Sequence, residues 1–109
     1  MATAYKVLGQ QAPSATTATA LYTVPSATEA VISTITICNR GSASGTIRLY
    51  IRPNDETLAN KHYIVYDASV AAKDTLFLTV GATMDATDVL YCYASTDDFS
   101  FNAYGSELS

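Results

Sequence analysis

His62 is the single histidine of the chain, and a general base needs a nucleophile or an orienting group beside it. Its neighbours Lys61 and Tyr63 offer neither, so it reads as a structural residue at a loop edge. With Cys38 and Cys92 it completes the supply of soft metal ligands, and no two of the three stand at a short ligand spacing. That excludes a standard structural zinc site. The carboxylates fall in pairs: Asp55–Glu56, Asp85/Asp88 and Asp97–Asp98. Such pairs can serve glycoside hydrolysis or calcium binding. Here each sits among turn-forming residues, and D-A-T-D (85–88) leads into no full ligand loop, so they read as turn formers with solvated charge. Phosphate-binding loops and nucleophile elbows are absent. The expectation is a non-enzymatic chain with no cofactor and no metal.

What remains with chemical character is tyrosine and arginine. The stretch G-T-I-R-L-Y-I-R-P (45–53) alternates with a period of two. Ile47, Leu49 and Ile51 point one way; Arg48, Tyr50 and Arg52 point the other. Tyr91 and Tyr93 share a face in the same manner. Tyrosine and arginine are enriched at interface hot spots, which makes Arg48, Tyr50 and Arg52 a candidate protein-binding face. Tyr5 and Lys6 join them as candidates, because residues 1–20 read as an extended N-terminal arm that can add to a neighbour's sheet edge. The bland alternative for the aromatics is cross-strand pairing and core packing.

The elements that would position these residues are strands throughout. Residues 3–9, 21–24, 28–38, 45–52, 62–66, 75–80, 89–94 and 99–104 carry β-branched or aromatic runs separated by turn residues. In 28–38, Ala30, Ile32, Thr34 and Thr36 share one face, and Val31, Ser33, Ile35 and Ile37 the other. In 75–80, Leu76, Leu78 and Val80 form the core side. N-R-G-S-A-S-G (39–45) reads as a turn joining a hairpin, and P-N-D-E (53–56) as a type I turn. The fold expected is all-β: a single antiparallel β-sandwich domain over residues 1–109, either a jelly roll or an immunoglobulin-like Greek key.

Charge and composition narrow the partner. Charged residues make up 15% of the chain and the net charge is −4, so nucleic acid is not an expected partner. No apolar stretch is long enough for a membrane-spanning helix, and the N-terminus M-A-T-A-Y-K-V-L-G-Q lacks the apolar region of a secretory signal. Two cysteines in strand patterns read as small buried hydrophobes in a reducing compartment. Charge is uneven along the chain. Residues 1–61 hold five of the six cations, and residues 62–109 hold seven of the ten acids. A weakly charged surface rich in Ala, Ser and Thr suits contact with other proteins, and oligomerisation would help a domain this small.

Four stretches carry a resemblance: Y-K-V-L-G-Q (5–10), L-Y-T-V-P (21–25), A-V-I-S-T-I-T-I-C-N-R-G (30–41) and Y-A-S-T-D-D-F-S-F-N-A-Y-G-S-E-L (93–108). They resemble small virion structural proteins of tailed bacteriophages, of the type found in cyanobacterial phages. The resemblance implies a non-enzymatic component of the virion, assembled in the host cytoplasm with other virion proteins, either major capsid or tail subunits. A capsid decoration or cement protein is the first role it suggests. A tail, baseplate or fibre component is the second. A carbohydrate-binding module, which needs an exposed aromatic cluster with acids nearby, is the third.

Overall fold

The computed structural model describes residues 2–109 and contains eight strands: β1 (Thr3–Gln11), β2 (Thr19–Thr23), β3 (Glu29–Asn39), β4 (Gly45–Arg52), β5 (Tyr63–Val70), β6 (Thr75–Met84), β7 (Val89–Ala94) and β8 (Phe99–Leu108). They form two four-stranded sheets, β1-β8-β3-β6 and β2-β7-β4-β5, called sheet A and sheet B below. Every pairing is antiparallel. The nested pairs β1–β8, β2–β7, β3–β6 and β4–β5 are those of one long hairpin rolled over itself. This is the jelly roll, one of the two topologies expected from the sequence.

Nesting corrects two local readings. Residues 39–45 do not join a hairpin, because β3 lies in sheet A and β4 in sheet B. Among consecutive strands only β4 and β5 pair. Nor is the first part of the chain a free arm. Residues Thr3–Gln11 pair with β8, Ala2 and Ser109 exchange both backbone hydrogen bonds, and β2 begins at Thr19. Between β1 and β2 only residues 12–18 lie outside strands, and Met1 lies outside the described residues.

Both inner faces are apolar for the reason the alternation gave. Ile47 and Leu49 of β4, Leu90 and Cys92 of β7, and Phe99, Phe101 and Ala103 of β8 are fully buried. Leu76, Leu78 and Val80 pack against this core half-buried, since β6 is an edge strand. Asn39 is the polar exception. Buried at the end of β3, it donates to the carbonyls of Ala43 and Val70 and accepts from the Gly41 N–H, fixing the crossover to sheet B.

In sheet A alternation fails along one line. Ala30 and Ile32 point inward, but so do Ile35 and Ile37, because Ser33 is an extra residue opposite β8. Leu8 is extra in β1, and Val80–Gly81 face Ser33 from β6, with Gly81 at φ +56°. A line of bulges therefore crosses sheet A and resets the side-chain phase of β3. The faces read for residues 28–38 are corrected accordingly.

Candidate functional site

Sheet B carries the candidate arginines and tyrosine on its outer face. Arg48 lies opposite Tyr93 of β7, and Tyr50 lies between Tyr91 of β7 and Tyr63 of β5. Tyr50 is 3% exposed. Its ring stacks on Tyr91 at 5.2 Å and 11°, and meets Tyr63 edge-on at 5.2 Å. Burial raises the phenol pKa of Tyr50, and burial with an acceptor in Asp55 does the same for Tyr91.

Arg48 is held on every side. Its Nε and Nη2 donate to the two carboxylate oxygens of Asp67 at 2.7 and 3.2 Å. Its guanidinium lies 4.3 Å from the Tyr66 ring centre and 4.7 Å from that of Tyr93. Such a fork between rings is a geometry lysine cannot reproduce. The hydrogen bond from Arg48 holds the Asp67 carboxyl below its ordinary pKa and raises that of Arg48 itself. Arg52 lies 4.8 Å from the Tyr91 ring centre, donates to the Glu56 and Asp55 carbonyls, and pairs with the Asp55 carboxylate at 3.6 Å.

The loop that receives Arg52 turns with the opposite hand to that expected. Asn54 and Asp55 have φ of +51° and +52°, the left-handed pair of a type I′ turn, which Asn and Asp tolerate better than most residues. His62 closes the same loop. Buried, it accepts the Ala59 N–H on Nδ1 at 2.9 Å, so its Nε2 carries the proton donated to Glu56 Oε1 at 2.8 Å. That hydrogen bond lowers the Glu56 pKa. Asp88 accepts the backbone N–H groups of Asn54 and Asp85, both at 2.8 Å. These groups hold turns, and no cluster of three or more His, Cys, Asp or Glu side chains converges among the described residues.

Alternation placed Arg48, Tyr50, Arg52, Tyr91 and Tyr93 on this face but missed Tyr63 and Tyr66. A strict period of two puts Tyr63 and Tyr66 on opposite sides of H-Y-I-V-Y. The bulge at Ile64, extra opposite Leu49–Tyr50, brings them together, and a second register shift sets Tyr66 with Asp67 opposite Arg48 alone. Asp67 at φ +54° marks that bulge, and an aspartate directly after the tyrosine is its only trace in the sequence. Tyr63 and Tyr66, 4.9 Å apart and perpendicular, border a shallow hollow with Asn60 of about 400 Å³.

Tyr5 and Lys6 part company, as neighbours on a strand must. Lys6 turns to the inner side and pairs with Glu107 at 2.7 Å, where the Tyr22 hydroxyl also donates. Both donors lower the Glu107 pKa, the Lys6 contact first. Tyr5 turns to the outer face of sheet A and is 85% exposed. Across that face register aligns Tyr5–Ser106–Val31–Thr83, then Val7–Tyr104–Thr34–Thr79, then Gln10–Asn102–Thr36–Phe77. No residue in these rows is charged. Phe77 is 69% exposed, and Val7, Val31 and Tyr104 are exposed as well. Cys38, expected to be buried, is half-buried, one row beyond Thr36 on the same outward parity; Cys92 is buried and its thiol is pushed up to about 12 by burial. No protein-family model matches the chain, and a search of curated proteins finds no match.

Proposed function

We propose that this chain is a non-enzymatic structural protein of a tailed-phage virion, a capsid decoration or cement protein that binds other virion subunits. One observation carries the reading: the uncharged outer face of sheet A exposes Tyr5, Val7, Val31, Tyr104 and Phe77 over three adjoining rows. Exposed apolar side chains gathered on one neutral face are a mark of contact surfaces, protein among them. The four stretches that resemble small virion proteins supply the kind of partner, major capsid or tail subunits. Jelly rolls recur in viral capsids, an analogy of fold that fits the proposal without carrying it. The Arg48–Tyr50–Arg52 face has a different part in this reading. Tyr50 is covered by its neighbours and Arg48 is held by Asp67, so the layer stiffens sheet B and offers a partner only its rim.

The test is copy number, by quantitative mass spectrometry of purified particles. A number comparable with that of the major capsid protein is expected. A few copies per particle would move the protein to the tail, baseplate or fibre. Absence from the particle would sink the virion reading and favour a second one, a carbohydrate-binding module. For that alternative the relevant observation is the hollow beside Tyr63 and Tyr66, with Asp67 adjoining it.

A further inference from the structure

The jelly roll leaves four edge strands, and three of them are blunted. β2 is five residues long with a register shift after Ala20. β5 carries two register shifts, and β6 is broken at Val80–Gly81. Short strands and bulges are the usual ways to keep an edge from pairing with another chain. β6 also runs unbroken from Thr75 to Thr79, but Thr75, Leu76 and Leu78 are half-buried there, and β1 differs from all three in its exposure. From Thr3 to Val7 its register with β8 is unbroken, and every residue is exposed. The bulge at Leu8 ends this flat stretch. Beyond it β1 closes onto sheet B: a Cβ added to Gly9, on the inner face, would lie 1.9 Å from the Leu21 carbonyl oxygen of β2.

The hydrogen-bond phase of that stretch is fixed. Ala2 and Ser109 exchange both backbone bonds, so they form a narrow antiparallel pair. The unbroken register makes Ala4↔Glu107 and Lys6↔Gly105 narrow pairs as well. Thr3, Tyr5 and Val7 then turn their N–H and C=O groups away from β8, towards the open edge. None of these groups has a partner among the described residues. Tyr5 and Val7 therefore present a bare backbone at the edge and an exposed side chain on the neutral outer face.

We infer that β1 is a self-pairing edge: two copies join through a two-fold axis at Tyr5, antiparallel, into one eight-stranded sheet. Three registers would match outward groups to outward groups at two or more residue pairs. With Tyr5 opposite Tyr5, Thr3 meets Val7 on both sides, so all three residues bond and about six backbone hydrogen bonds form. Moving the axis by one residue in either direction, a two-residue slip of register, leaves two matched pairs in place of three. One of those shifts also sets Lys6 directly opposite Lys6, a like-charge pair that costs stability. The Tyr5 register sets Lys6 opposite Ala4, and each Lys6 keeps its own Glu107. It also makes the outer rows of the two copies continuous, with Tyr5 and Val7 at the join. This inference stands apart from the virion proposal, since a dimer of this kind can serve any assembly.

Sedimentation velocity of the full chain over a concentration series tests it. The wild type should sediment at twice the chain mass at high concentration and dissociate on dilution. In Tyr5→Pro the missing N–H faces the open edge, so no bond to β8 is lost. Tyr5→Lys sets two cations on the two-fold axis without touching the backbone. Both variants should halve the mass while keeping the wild-type circular dichroism. Should Tyr5→Pro fail to fold, Tyr5→Lys decides alone. A wild type that stays monomeric at every concentration, an odd-numbered oligomer, or a dimer that survives in folded Tyr5→Lys would each overturn the inference.

Discussion

The two outward faces of this sandwich use aromatic residues in opposite ways. On sheet B, Tyr50, Tyr63, Tyr66, Tyr91 and Tyr93 interleave with Arg48 and Arg52, and the layer satisfies itself. Arg48 is bound by Asp67 and Tyr91 by Asp55, and Tyr50 is covered by rings on both sides. On sheet A, Tyr5 and Phe77 lie in uncharged rows whose one side-chain hydrogen bond among the described residues is Gln10 to Asn102 at 2.7 Å. The difference shows why an aromatic-rich strand is not in itself a binding strand. Rings that pack on one another across strands are structural, and rings that pack on nothing within the chain are the ones left for a partner.

The sharpest way to break this comparison is to remove the centre of the sheet B layer. Tyr50→Ala should cost about 3–5 kcal/mol, the range for truncating a buried aromatic ring. The midpoint of a urea titration should fall with the slope unchanged. A loss under about 1 kcal/mol would mean that the layer is ornament on a fold held by its inner core alone. Arg48→Lys should destabilise in the same direction, because the fork to Asp67 and the stacking between Tyr66 and Tyr93 are both lost.

Stability against pH should separate the sheets less violently. Cys92, Tyr50, Tyr91 and Tyr22 all belong to sheet B, and burial raises the folded-state pKa of each, Cys92 to about 12. A raised folded value gives stability that is fully present below the unfolded value and lost as pH climbs through the folded one. Unfolded thiols and phenols titrate near about 8.5 and 10, so stability should decline steadily above about pH 8.5. The carboxylates run the other way. Asp67, Glu56 and Glu107 are held low, so their contribution is present above about pH 4 and is lost as pH falls further. Tyr50→Phe keeps the ring and should make the alkaline decline shallower. An unchanged decline would remove Tyr50 from the account.

How much of this was legible in the chain follows from where the period of two survives. β4 carries no inserted residue of its own, so Ile47, Leu49, Arg48 and Arg52 fell on the faces their alternation assigned. β3 and β5 hold bulges, and beyond Ser33 and Ile64 the phase inverts; nothing local to S-T-I-T or Y-I-V-Y announces this. A bulge depends on the partner strand, and the partner of β5 lies on the other side of a loop. The nested topology was equally hidden, since each crossover loop looks like a hairpin turn until both sheets are in place. His62 was read as structural, yet its partners Glu56 and Ala59 belong to a loop whose left-handed residues the sequence suggested only through N-D. Tyr5 and Lys6 were singled out together, and a strand necessarily sends them to opposite faces.

The smallest expected effect bears most directly on the neutral face. Phe77 sits on β6 with 69% of its surface exposed, opposite Thr36, and packs into no core. Two explanations for its presence compete. Phenylalanine favours strands, so it can be kept for the local preference of an edge; or it is kept for contact with a partner. Phe77→Thr separates them, because threonine is a comparable strand former with no ring. Its effect on folding stability should stay within about 0.5 kcal/mol on either explanation, as for exposed sites generally. On the virion reading proposed above, incorporation into particles is where the two part. A folded Phe77→Thr protein that enters particles poorly makes the outer face of sheet A the contact surface. Normal incorporation would return Phe77 to strand preference, and the proposed contact would move to β1 or to the rim of the tyrosine layer.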